Sequence, residues 1–163
     1  MAELTPLDEK LGEVLGLAQA AQVATRKVRT LEGAEAFQRD LDRMHEQASE
    51  TERRTDELID AREGRKTAIR EKASETKSEG ADMMKIYLGG EEEALDGFEF
   101  LSMAEAGELC HWEIVQAIAE SAGERDAKEL ADWAVSVQNE HVAKVREAYL
   151  KLAVEEAKER ASA

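Results

Sequence analysis

The chain predicts an all-α fold: a four-helix bundle running up-down-down-up, with a long crossover between its second and third helices. Three observations lead there. Ala, Glu, Lys, Leu, Arg and Gln dominate, the only proline is Pro6, and aromatic residues make up 4%. The dominant residues lose least on entering a helix. No stretch alternates β-branched or aromatic residues with polar ones in period two, as a strand requires. Apolar residues instead recur at steps of three and four in four separate stretches, so each forms one helical stripe. At 163 residues the chain suits one domain spanning positions 1–163.

The first helix is expected over Leu7 to Thr30, with Leu7, Leu11, Val14, Ala18, Thr25 and Val28 on one face. Thr5 is a suitable N-cap, Pro6 fits the first turn, and Asp8 and Glu9 sit near the positive end of the helix dipole. "LEGAEAF" breaks the pattern at Gly33, and a second stripe follows through Phe37, Leu41, Met44, Ala48, Thr55 and Ile59. So short a link makes the two helices antiparallel neighbours. From about residue 64 to 93 the stripe dissolves. That stretch reads as a frayed extension of the second helix and a crossover, in which "ADMMKIYL" forms a short amphipathic piece. The third stripe runs through Phe100, Met103, Ala104, Gly107, Cys110, Ile114, Ala117 and Ile118. Gly123 turns the chain into the fourth, which carries Ala127, Leu130, Ala134, Val137, Val145, Ala148, Tyr149 and Leu152. A charged tail, about residues 154–163, extends or frays from its end.

Thirty-seven acidic residues against 22 basic ones give a net charge of −15, which repels nucleic-acid phosphates and anionic lipid surfaces. Nucleic acid and membrane are therefore excluded as expected partners, and cations are favoured. The single cysteine, Cys110, rules out an internal disulfide, and "MAELTPLDEK" has neither the basic start nor the apolar run of a signal peptide. A cytoplasmic location is expected. No Gly-rich phosphate loop, nucleophile elbow or paired cysteines for zinc occur.

At about 100° per residue, the inward polar side chains can be placed against each stripe. Gln22 interrupts the first, and Glu52 follows Ala48 on the second with His45 at its flank. His111 falls near the centre of the third stripe and Glu108 at its edge; Gln138 and His141 lie inside the fourth. Cys110 is expected to face inward beside His111, and Trp112 and Trp133 to pack. Buried polar groups must satisfy one another, a water or a metal. Glu and His three apart share one helix face, and oxygen with imidazole nitrogen is a donor set that suits iron, manganese and zinc.

"GELCHWEI", "VQNEHVAKV" and "ASETERRTDELI" resemble segments of the ferritin-like superfamily, especially the rubrerythrin-type domains and the small ferritin-like bacterial stress proteins. That family binds two metals with a Glu from each of two helices and a Glu-x-x-His from each of the other two. This chain departs from the pattern. The fourth helix has Gln138-Asn139-Glu140-His141, Arg54 stands near an expected histidine, and Gln19 or Gln22 stands where a Glu belongs. With Glu52 and Glu108 as the inward carboxylates, the resemblance implies an incomplete di-metal site holding one iron or manganese ion. Its ligands would be Glu108, His111 and His141, with Gln138 as a neutral ligand or as a hydrogen-bonding partner of a ligand, and Glu52 and Gln22 nearby. The function so implied is that of a metal-binding protein of oxidative or iron stress, dimeric like many such bundles. The competing expectation is a bundle without metal that works as a scaffold through dimerisation or partner binding.

Overall fold

Thr5 begins the first helix as its sequence suggests, in a reciprocal cap: Asp8 N donates to Thr5 Oγ1 at 3.2 Å and Thr5 N donates to Asp8 Oδ2 at 3.0 Å. The computed structural model describes residues 3–90 and 92–163; Met1, Ala2 and Glu91, the last inside the predicted crossover, lie outside the described residues. Five α-helices follow one another: α1 (Pro6–Arg29), α2 (Gln38–Asp60), α3 (Lys66–Leu88), α4 (Ala94–Ala122) and α5 (Arg125–Ser162). A single 3-10 turn at Glu35–Phe37 leads into α2. Gly123, at φ 69°, takes the left-handed conformation that ends α4. Among the described residues there is no strand, and no helix is long and apolar enough to cross a membrane.

The all-α class holds, but the crossover is a correction: most of it is α3, a full helix of 23 residues. Its apolar stripe is thin, with only Ile69, Ala73 and Leu88 buried, because it packs by close backbone approach rather than by large side chains. A Cβ on Gly12 would stand 2.7 Å from the Ile69 carbonyl oxygen and 2.8 Å from Lys72 Cβ. One on Gly16 would overlap the Ala73 carbonyl oxygen, and one on Gly80 would reach Ala20 Cβ at 3.0 Å. Gly12 and Gly16, four residues apart, thus form a second, small-residue face of α1.

These contacts also set direction. Gly12 lies by Ile69 and Ala20 by Gly80, so α3 runs parallel to α1; Gly97 at the start of α4 meets Val28 and Leu31 at the end of α1, so α4 runs antiparallel to it. In chain order α1 and α3 thus run one way and α2 and α4 the other, and the return path between the second and third predicted stripes is itself helical. The helices enclose two apolar clusters. One, near the start of α1, gathers Leu7, Leu11, Val14, Ile59, Trp112 and Val115; the other, near its end, gathers Val28, Phe37, Leu41, Phe98, Leu101 and Val145.

The first cluster is closed at its end by charge. Asp8, fully buried, accepts from Arg62 Nη1 at 2.6 Å, and Arg62 Nη2 also pairs with Glu124. Arg65 Nε stands 3.1 Å from Asp8 without a hydrogen-bonding angle. One carboxylate therefore ties the start of α1 to the α2–α3 turn and, through Arg62, to the α4–α5 turn. Burial acts to raise the Asp8 pKa, but the Thr5 backbone and hydroxyl and the Arg62 guanidinium together bring it below the usual 3.8.

Two predictions follow from this packing. Gly16→Val should lower stability by about 1–3 kcal/mol, because the overlap with α3 outweighs the gain in helix propensity; thermal denaturation checks it, and Gly107→Ala, whose Cβ meets nothing within 4 Å, should not be destabilising. Asp8→Asn should cost about 1.5–3 kcal/mol at pH 7. Since the folded-state pKa of Asp8 is depressed, its contribution is present above pH 3.8 and is lost as pH falls through the folded value. The difference between wild type and variant in urea titrations should therefore shrink in that acid range.

Candidate functional site

Between the two apolar clusters every helix of the four-stripe core carries polar side chains. On the α1–α2 side, Gln19 Nε2 donates to Glu52 Oε1 at 3.1 Å and Gln22 Nε2 donates to Glu52 Oε2. His45 Nδ1 stands 3.1 Å from the Gln22 carbonyl oxygen and 3.4 Å from Thr25 Oγ1. On the α4–α5 side the centre is Glu105, only 1% exposed. Its Oε2 accepts from Gln138 Nε2 at 3.0 Å and from His141 Nδ1 at 2.9 Å. The other imidazole nitrogen, Nε2, pairs with Gln47 Oε1 of α2 at 2.8 Å.

Glu108, one turn on from Glu105, is 3% exposed. Burial is the main force that pushes its pKa well above the usual 4.5, and the charge of Glu105 adds to it; the Gln138 amide works the other way without prevailing. Burial and the Glu105 charge both disfavour the charged form of Glu108. His141 and Gln138 both face the neighbouring Glu105 carboxylate.

The structure brings Glu108, Gln138 and His141 together and adds Glu105, which sequence reasoning missed. His111 does not join them. It is a correction to the predicted stripe: its side chain is 32% exposed, Nδ1 contacts the Gly107 carbonyl oxygen at 2.8 Å, and Nε2 lies 3.3 Å from Glu13 of α1. Cys110, also expected inward, is exposed. The buried line of α4 is Leu101, Glu105, Glu108, Trp112, Val115 and Ala119, one residue on from the predicted one. An apolar count rotates the helix away from its own buried carboxylates. The signal that could have found Glu105 is its spacing, since it continues Leu101 and precedes Glu108 and Trp112 at steps of four, three and four.

Glu52 and Gln22 do meet, but on the α1–α2 side of the layer, each using the other. Arg54 stacks its guanidinium on the Trp133 ring, 4.1 Å from the centroid, and bonds Glu50. Trp112 is fully buried, as expected of a packing residue, with its indole N–H unpaired.

Among the described residues, no three or more His, Cys, Asp or Glu side chains are grouped so as to hold a metal ion. The donor chemistry explains this. Both His141 ring nitrogens face partners within the layer, and Glu105 Oε2 receives two donors. As arranged, these residues fit a hydrogen-bonded layer and do not fit an ion. Compared with protein-family models, curated proteins and solved structures, the chain matches none.

Glu108 carries the prediction. A carboxyl whose folded-state pKa is raised contributes stability fully present below pH 4.5 and lost as pH rises through the folded value. Glu108→Gln, which cannot ionise, should therefore melt higher than wild type at pH 8, by about 2–4 °C for each kcal/mol gained. The advantage should vanish below pH 4.5. Scanning calorimetry across pH measures it, and a uniform difference at all pH values would show that the carboxyl is not the cause.

Proposed function

We propose that this protein acts by binding rather than by metal chemistry, as a helical-bundle scaffold whose interior is completed by its own side chains. The observation that carries this reading is the engagement of His141 by Glu105 on one nitrogen and Gln47 on the other. An imidazole must present a free lone pair to ligate a metal, and here both ring nitrogens face partners within the layer. Outside the layer, α3 turns Met83, Ile86 and Tyr87 to solvent and α5 turns Leu150 and Val154 outward; Ile86 is 77% exposed. Such side chains support association with a partner or a second copy of the chain.

A second reading keeps the ferritin-like expectation. Glu105, Glu108, His141 and Gln138 together supply the oxygen and nitrogen donors that suit one iron or manganese ion, provided the imidazole turns away from its present partners. In that case the protein would belong to iron or oxidative stress chemistry. What favours it is the presence of two buried carboxyls one turn apart, an arrangement costly to keep without a cation or a proton.

One set of measurements separates the two. Protein purified without chelator or affinity resin should contain substoichiometric iron and manganese, and added iron, manganese or zinc should leave its melting temperature unchanged. His141→Ala should destabilise it by about 1–3 kcal/mol through the donor removed from Glu105. A stoichiometric ion, with a metal-induced rise in melting temperature that is lost in His141→Gln, would reverse the choice.

A further inference from the structure

Beside the polar layer, α1, α3 and α4 enclose a cavity of about 210 Å³. Its walls are apolar: Leu17, Ala20 and Ala24 from α1, Met84 from α3, Phe100 and Ala104 from α4. The more exposed lining residues, Val23, Met83 and Met103, stand at its mouth, and Lys77 is at the rim. The most buried lining residues are Glu105 and Glu108, so the cavity runs from a methionine-flanked opening to two carboxyls. An apolar cavity of roughly 150 Å³ already accommodates benzene. This one has room for a somewhat larger molecule.

We propose that this cavity binds a small apolar amine, with its hydrocarbon part among the α1, α3 and α4 side chains and its ammonium group against Glu108 and Glu105. The proposal rests on the reading of the polar layer as free of metal.

The chemistry of the inner end selects the ligand. The Gln138 amide is the one donor that favours charge on Glu108, and it is also committed to Glu105. Glu108 is thus a buried carboxyl without a donor of its own, facing an apolar space. A carboxylic acid placed there would add a third acidic group to the pair, and an alcohol would leave the repulsion between Glu105 and Glu108 in place. An ammonium group removes it. The protonated amine enters as a cation and favours the charged form of Glu108, so that any proton held there leaves to solvent and the ammonium donates to the carboxylate. The titratable neighbours are consistent with a monocation. From α4 come Glu105 and His111, from α5 His141 behind Glu105, from α2 Glu52 across the layer with Gln19 and Gln22, and from α1 Glu13 beside His111. The single basic lining residue, Lys77, stays at the rim. The net charge of −15 favours a cation over an anion during approach.

Full-length protein, stripped with chelator and dialysed, should be titrated calorimetrically with hexylamine, hexanol and hexanoate near pH 7, in two buffers of different ionisation enthalpy. Hexylamine is expected to bind one per chain, about tenfold or more tighter than either comparison, with net release rather than uptake of protons. Glu108→Gln should lose about tenfold in affinity and the proton release. Ala104→Leu, which narrows the cavity without touching a carboxyl, should lose binding while keeping a cooperative melting transition. Absence of hexylamine binding, equal binding of hexanol, or binding indifferent to Glu108→Gln would each overturn the proposal. Comparison with unstripped protein keeps the two readings apart. Hexylamine binding only after removal of a native ion would support the cavity assignment and overturn the metal-free reading, whereas metal-free protein that ignores hexylamine would overturn the amine proposal alone.

Discussion

Two carboxyls one turn apart in a dry interior repel each other when charged, and the middle of this bundle is arranged around that constraint. Gln138 and His141 converge on one oxygen of Glu105. Burial and the neighbouring Glu105 act against charge on Glu108. Gln47 of α2 holds the other side of His141, so one carboxylate on α4 is tied to both α5 and α2. The apolar clusters above and below would tolerate several registers of sliding helices, since Leu, Val and Ala interdigitate in many ways. The hydrogen bonds of the layer tolerate one.

Much of this was legible in the sequence. The stripes of α1, α2 and α5 lie where period 3.6 placed them, because in those helices the apolar residues outnumber the polar ones along the buried face, and Thr5, Gly33 and Gly123 mark chain turns by ordinary capping and glycine chemistry. Helix α3 was not legible. A helix that docks through backbone contact buries few large side chains, so the hydrophobic pattern that reveals helices is weakest where packing is closest. Its trace lay on the other partner, in Gly12 and Gly16 of α1, which have no purpose on a simple one-faced helix.

The candidate site was half legible. Gln138 and His141 could be placed because α5 has an ordinary stripe around them, while Glu105 could not, because an acidic residue on an apolar helix is read as the solvent side. His111 went astray for the same reason: α4 is apolar on a face toward the core and on a second face that lines the cavity, and the residue sits on the second. Distinguishing two apolar faces requires knowing how many helices surround the one in question, and that number was hidden with α3.

Helix α1 is flanked by α2, by α3 through its glycines, and by α4 through Gly97. It is synthesised before each of the three helices that come to cover it. At roughly 5–20 residues per second, synthesis separates the end of α1 from the end of α4 by several seconds to about twenty. During that interval Leu11, Val14 and Val28 have only part of their eventual cover. The nascent chain therefore passes through a state in which the core face of α1 is exposed apolar surface, and the acidic residues already made oppose non-specific association before the protein has folded.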